Sequence, residues 1–161
     1  MGSSSSPDHD AALRVALRLL SFRARSHQEL VERLRQRGFG DQVVARVVQD
    51  LSSRGLVDDQ AFALNWARAR VLTRCMGRRR LAEELREKGV PKEVVEVAIR
   101  EAFQETGEEA VARGAAEKRL KALRHLPTSV ARRRLAGYLL RRGFSSEMVR
   151  RLVTTLVKKG P

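Results

Sequence analysis

Cysteine is nearly absent from the 161-residue chain, and that scarcity excludes two structural classes. Cys75 alone cannot make an internal disulfide framework, and with histidines only at positions 9, 27 and 125 it cannot build a zinc site. A metal-free, cofactor-free, cytoplasmic protein is expected. Aromatic residues are also few, at 4%. Phe22, Phe39, Phe62, Trp66, Phe103, Tyr138 and Phe144 lie at or beside the apolar stripes described below, so they are expected in packing. No exposed aromatic platform for stacking bases is expected. No apolar run approaches the ~18 residues of a membrane span, and the opening MGSSSSPDHD has no apolar stretch to act as a signal peptide. Residues 1–9 are expected to be a disordered tail or a cloning scar outside the fold.

Catalytic patterns are missing as well. There is no GxxxxGK[ST] phosphate loop and no GxGxxG after a strand. Cys75 lies beside Met76 with no histidine near it, which reads as a buried or semi-buried thiol and not a nucleophile. Asp58-Asp59 and Glu83-Glu84 are adjacent pairs, and adjacent residues on a helix diverge by ~100° where acid–base or metal pairs must converge. Capping and solvated-surface roles suit them better. No enzyme is expected.

What the chain does have is positive charge: 33 Lys and Arg against 19 Asp and Glu, a net +14. A nucleic acid, or a complex containing one, is the leading partner class, with an anionic membrane as the rival. With 42% apolar residues the chain has enough oil for a core.

It also has a period. Leu30-x3-Leu34-x3-Gly38-Phe39 recurs as Leu81-x3-Leu85-x3-Gly89-Val90 and as Leu135-x3-Leu139-x3-Gly143-Phe144. After each glycine the apolar offsets repeat: Val43, Val44, Val47, Val48, Leu51; Val94, Val95, Ala98, Ile99, Ala102; Met148, Val149, Leu152, Val153, Leu156. A spacing of i, i+1, i+4, i+5, i+8 fits the helical period and not a strand, despite the β-branched residues. Each copy therefore predicts a helix stopped at Lys or Arg plus Gly, a tight turn, and a second helix. Ser26 with Glu29 has capping-box spacing, Pro91 suits a first helical position, and Ser145 can cap the last helix. A further helical segment precedes each pair, at roughly 10–24, 59–74 and 107–125. The expected fold is all-α: three tandem three-helix repeats, at 10–56, 57–106 and 107–157, stacked into an elongated, curved rod.

Charge is segregated along this frame. Residues 1–67 net +1, 68–80 net +6, 81–117 net −5 and 118–161 net +12. Arg78-Arg79-Arg80-Leu81-Ala82 and Arg132-Arg133-Arg134-Leu135-Ala136 each fall where the second helix of a repeat should start. Three cations at a helix N-terminus oppose the macrodipole, and a local conflict of that kind points to function. Both triplets are expected to meet an anionic partner, with a solvated basic face as the alternative. Helix, Gly turn and helix is also the outline of a helix-turn-helix reader, yet helix 41–53 nets −1 and helix 92–105 nets −2. Only helix 145–159, with Arg150, Arg151, Lys158 and Lys159, would suit a major groove.

The run Gly55-Leu56-Val57-Asp58-Asp59-Gln60-Ala61-Phe62-Ala63, then Trp66, Arg68 and Arg70, resembles the signature of the RecX family, bacterial regulators of the RecA recombinase. Gly77-Arg78-Arg79-Arg80-Leu81, Glu84-Leu85-Arg86-x-Lys88-Gly89 and Arg133-Arg134-Leu135-x5-Arg141-Arg142-Gly143-Phe144 resemble it too. The resemblance covers about residues 10–157 and implies three tandem three-helix units. It implies binding along RecA filaments, with inhibition of ATPase, strand exchange and co-protease activity through blocked growth or disassembly, and so a role in DNA repair and the SOS response. It also implies binding to single- and double-stranded DNA. Its basic positions are Arg68, Arg70, Arg78, Arg79, Arg80, Arg133, Arg134, Arg141 and Arg142, to which the charge blocks add Arg74, Arg132, Arg150 and Arg151. Asp58, Asp59, Phe62, Trp66, Gly89 and Gly143 belong to the signature but read as structural. A monomeric, non-membrane filament regulator is the reading adopted. The alternatives are a helix-turn-helix transcriptional regulator and a nonspecific nucleic-acid-binding protein.

Overall fold

A computed structural model describes residues 7–157. The described residues form nine α-helices and no strand: α1 (Pro7–Phe22), α2 (His27–Gln36), α3 (Asp41–Ser53), α4 (Asp59–Arg74), α5 (Arg78–Glu87), α6 (Lys92–Ala102), α7 (Glu108–Lys121), α8 (Thr128–Arg141) and α9 (Ser146–Leu156). The all-α expectation holds. Helix α1 opens at Pro7, inside the segment set aside as a tail. Proline suits a first helical position, and Asp8 and Asp10 place negative charge in the first turn. Residues 1–6 lie outside the described residues, as do Lys158 and Lys159.

The three predicted stops share one geometry. Gly38, Gly89 and Gly143 have φ of 88°, 71° and 90°, the left-handed conformation that lets the chain turn out of a helix. At each, the glycine amide donates three residues back, to Arg35, Arg86 or Leu140. The next amide reaches five residues back, to Leu34, Leu85 or Leu139. This double bond pattern satisfies carbonyls that the helix end would otherwise orphan. The N-termini follow the sequence less uniformly. Ser26 and Glu29 form the predicted capping box, and the Ser145 hydroxyl accepts from the Met148 amide. Pro91 sits one residue ahead of α6 and contributes its carbonyl, which accepts from Val95.

The chain divides into two compact units, residues 1–63 with 85–95 and residues 64–84 with 96–161. In the first, Ala12 and Ala16 of α1 pack with Leu30 and Leu34 of α2 and with Val44, Val47, Val48 and Leu51 of α3. In the second, Ala112, Ala115 and Ala116 of α7 pack with Leu135 and Leu139 of α8, Phe144, and Val149, Leu152 and Val153 of α9. The valine doublets thus bury the stripe their helical spacing predicts. One aromatic expectation is corrected: Phe22, placed in packing by the sequence, is 74% exposed because it ends α1 where the helix leaves the core.

Candidate nucleic-acid interface

All thirteen arginines expected at the interface lie in the second unit. At the start of α5 the amides of Gly77, Arg78 and Arg79 donate to the Arg142 carbonyl (2.7 Å), to Glu108 Oε1 (2.9 Å) and to the Gly143 carbonyl (3.2 Å). The end of α8 and the first residue of α7 therefore satisfy donors that a helix start leaves open. Side chains follow. The Arg78 guanidinium pairs with Glu108 at 3.1 Å and lies 5.0 Å from the Phe103 ring centroid. Arg80 pairs with Glu83 at 3.3 Å and with Glu84 at 3.8 Å. The conflict between the first triplet and the helix dipole is offset inside the protein by these carboxylates. Arg70 is engaged as well: it stacks 4.1 Å from the Trp66 ring centroid and pairs at 3.0 Å with Glu84, which also accepts from the Trp66 indole.

The second triplet sits differently, and the expectation that it opens its helix is corrected. Helix α8 begins at Thr128, directly after Pro127, whose carbonyl accepts from Ala131. Proline suits a helix start and not its interior, so the helix runs from there and carries residues 132–134 in its second turn. Arg132 turns back: its Nε and Nη2 donate to the Val157 carbonyl at 3.0 and 2.6 Å, closing the end of α9. Arg142 donates to the Arg74 carbonyl and lies 5.0 Å from the Tyr138 ring. Arg151 binds Glu109 at 3.1 Å and Glu147 at 3.4 Å.

Six of the thirteen, Arg70, Arg78, Arg80, Arg132, Arg142 and Arg151, thus make internal bonds. The other seven, Arg68, Arg74, Arg79, Arg133, Arg134, Arg141 and Arg150, are exposed and form no ion pair among the described residues. Arg133 and Arg150 are brought together at a groove of about 480 Å³ between α8 and α9. Its apolar lining includes Ala136, Val149, Val153 and Leu140, the last 47% exposed. The surface offers free guanidinium groups beside an apolar strip, which suits phosphates or carboxylates carried on a partner with some apolar surface.

Signature residues of the first unit make contacts within that unit. Asp58 accepts from the amides of Gln60 and Ala61 and caps α4. Asp59 caps a different helix, accepting from the His27 amide of α2 at 2.8 Å. Beside that contact the Ser26 hydroxyl donates to the Lys88 carbonyl, and Lys88 Nζ meets Glu29 at 3.1 Å. Burial would raise the Glu29 carboxyl, yet hydrogen bonds from Arg23 and Lys88, with their charge, hold it down at about 2. Gly89 lets α5 approach α2 so closely that a Cβ there would overlap the Gln28 side chain. The second unit repeats this arrangement: Glu108 and Gly143 serve the start of α5 as Asp59 and Gly89 serve the start of α2.

Residues 12–51, 58–99 and 107–153 match the first, second and third three-helix domains of RecX. A "Regulatory protein RecX" of Thermobifida fusca (strain YX) is 39% identical over 154 residues, covering 94% of this chain and 83% of the relative. The chain belongs to the RecX family. Another "Regulatory protein RecX", of Mycobacterium sp. (strain KMS), is 41% identical over 162 residues, covering 94% of this chain and 88% of its own. The crystal structure of RecX from Lactobacillus salivarius shares the fold, with a TM-score of 0.81 at 20% identity over 92% of this chain and 96% of that one. No helix among the described residues of this RecX family member is long and apolar enough to cross a membrane.

One basic cluster has no counterpart in the sequence reading. Arg14, Arg18 and Phe22 lie at i, i+4 and i+8 on α1, and Arg37 joins them at the end of α2. Averaging charge over residues 1–67 conceals it, because eight acidic residues elsewhere in that stretch nearly cancel its nine basic ones. The helical spacing of two arginines and a phenylalanine is the signal that could have revealed it.

Proposed function

We propose that this RecX family member is a non-enzymatic regulator that binds RecA nucleoprotein filaments. It restrains their ATPase, strand-exchange and co-protease activities by blocking filament growth or promoting disassembly, and so modulates DNA repair and the SOS response. The observation that carries the reading is the sorting of the thirteen candidate arginines, seven of which are left exposed after the fold's own needs are met. Free guanidinium groups flanking the apolar α8–α9 groove suit a partner that presents both DNA phosphates and protein surface. The name borne by the relatives supports a regulatory role, and the +14 net charge supports a polyanionic target. A helix-turn-helix reading through α9 has less support, because Arg151 is tied to Glu109 and Glu147 and only Arg150 of that pair is free.

The test is RecA ATP hydrolysis on single-stranded DNA at low salt with the purified protein added substoichiometrically. A falling rate is expected, together with little preference between scrambled and genomic naked DNA. An unchanged rate with folded protein refutes the proposal.

A further inference from the structure

We infer that the α1–α2 face of the first unit is a single-stranded nucleic-acid site, in which Phe22 stacks on a base and Arg14, Arg18 and Arg37 hold the flanking phosphates. The face is a groove of about 640 Å³ lined by these four residues with Ala11 and Val15 among others. No carboxylate lines it. Phe22 is the most exposed aromatic side chain that the described residues offer, at 74%, and an exposed ring of that size has no packing role. The arginines are equally uncommitted. Arg14, Arg18 and Arg37 are exposed and make no side-chain ion pair among the described residues, whereas nearby Arg23 and Arg25 are engaged, the first with Glu29 and the second with the Leu19 carbonyl.

Three free guanidinium groups around one free aromatic ring distinguish among polyanions. A duplex would use the arginines and leave the ring idle, since its bases are already stacked. An anionic bilayer would take the arginines too, yet a lone ring at the end of an arginine-bearing helix face offers little to insert. An unpaired strand uses both, with its phosphates on the cations and one splayed base on the ring. Spacing agrees: the ring follows Arg18 by one helical turn and Arg14 by two, so base and phosphate partners fall along one stripe. This inference stands apart from the filament reading, and either can fail without the other.

The test measures binding of the full chain to a fluorescein-labelled oligothymidylate by anisotropy over a salt series, with a DNA duplex and phosphatidylserine vesicles as comparison ligands. Phe22→Ala should weaken oligothymidylate binding by about 5- to 150-fold, the range one stacked base carries, while duplex affinity and far-UV dichroism stay at wild-type values. Phe22→Trp should retain binding, and its added indole emission, read against wild type where Trp66 is the single tryptophan, should be quenched as thymine stacks. Replacing Arg14, Arg18 and Arg37 together by Ala should flatten the log–log salt slope for the oligonucleotide by roughly 2. Exposed arginines of the other unit also attract polyanions, so the Phe22→Trp emission is the deciding readout. Unchanged emission at saturating oligothymidylate overturns the inference, as does a Phe22→Ala loss that is equal on duplex or on vesicles.

Discussion

Three glycine substitutions should separate the cost of a strained backbone from the cost of forcing two helix ends apart. Gly38 has φ of 88° and open space where a Cβ would go, so Gly38→Ala measures left-handed strain alone, about 1–2 kcal/mol. Gly77 is the converse. Its φ is not in the left-handed range, yet a Cβ would lie 2.7 Å from the Gly143 carbonyl oxygen and 2.7 Å from the Phe144 ring. That ring is 1% exposed and cannot retreat, so the end of α8 must move away from α5. The bonds at risk are Gly77 N–H to Arg142 (2.7 Å) and Arg79 N–H to Gly143 (3.2 Å), about 1 kcal/mol each. Overpacking adds about 1–3 kcal/mol, for a total of about 3–5 kcal/mol at Gly77→Ala. Gly143 combines a φ of 90° with overlap on Arg80, so Gly143→Ala should cost at least as much.

Urea unfolding followed by far-UV dichroism and by Trp66 emission reads these differences, since Trp66 lies in the same unit as Gly77 and Gly143. The melting temperature should fall by about 2–8 °C for Gly38→Ala and by about 6–20 °C for Gly77→Ala. Gly77→Ala and Gly143→Ala disturb one contact, so the double variant should cost clearly less than the two single losses added together. A Gly77→Ala protein as stable as Gly38→Ala would refute the reasoning, because it would mean that the end of α8 does not press on α5.

Arg132→Ala should lower stability by about 2 kcal/mol through loss of its two bonds to the Val157 carbonyl, while Arg133→Ala with Arg134→Ala should leave urea unfolding unchanged and flatten the salt slope of DNA binding by up to about 2. The Glu29 carboxyl is held at about 2 in the fold against an ordinary 4.5, so its contribution is complete above about pH 4.5 and disappears as pH falls toward 2. Glu29→Gln should accordingly cost on the order of 2 kcal/mol at pH 7 after allowance for partial solvent screening, and the gap to wild type should close between pH 4.5 and 2 in urea titrations. Removing the guanidinium with Arg70→Met should change Trp66 emission and destabilise the protein, because it strips the stacked cation and leaves the half-buried Glu84 carboxylate short of a partner; unchanged emission would contradict that geometry.

Helices, their stops and the buried stripe were legible because each depends on residues within about one or two turns of one another. Leu30, Leu34 and Gly38 set the end of α2 by local bonds, and the valine doublet after Gly40 selects the buried face of α3. The candidate surface was legible only in outline. Asp59 looked like a cap for its own helix but serves α2, because the decisive amide is at His27, 32 positions earlier. Glu108 serves Arg78 from 30 positions later in the same manner. Composition and spacing carry no trace of such pairings, since they are set by how repeats meet.

The two Arg-Arg-Arg-Leu-Ala strings make the limit concrete. Their letters and their distance from the glycine that stops the helix, Gly89 or Gly143, are identical, yet the first opens a helix and the second lies a turn inside one. At α5 the space before Arg78 is filled by the carbonyl end of α8, so Gly77 gives its amide to Arg142 and the helix starts there. Before Arg132 the helix instead extends back to Pro127. In consequence Arg78 and Arg80 face carboxylates and serve the fold, whereas Arg133 and Arg134 reach solvent with no such partner among the described residues. A guanidinium becomes available to a nucleic acid when no internal acceptor lies within its reach, and that depends on which helix end is its neighbour, not on how many arginines stand together.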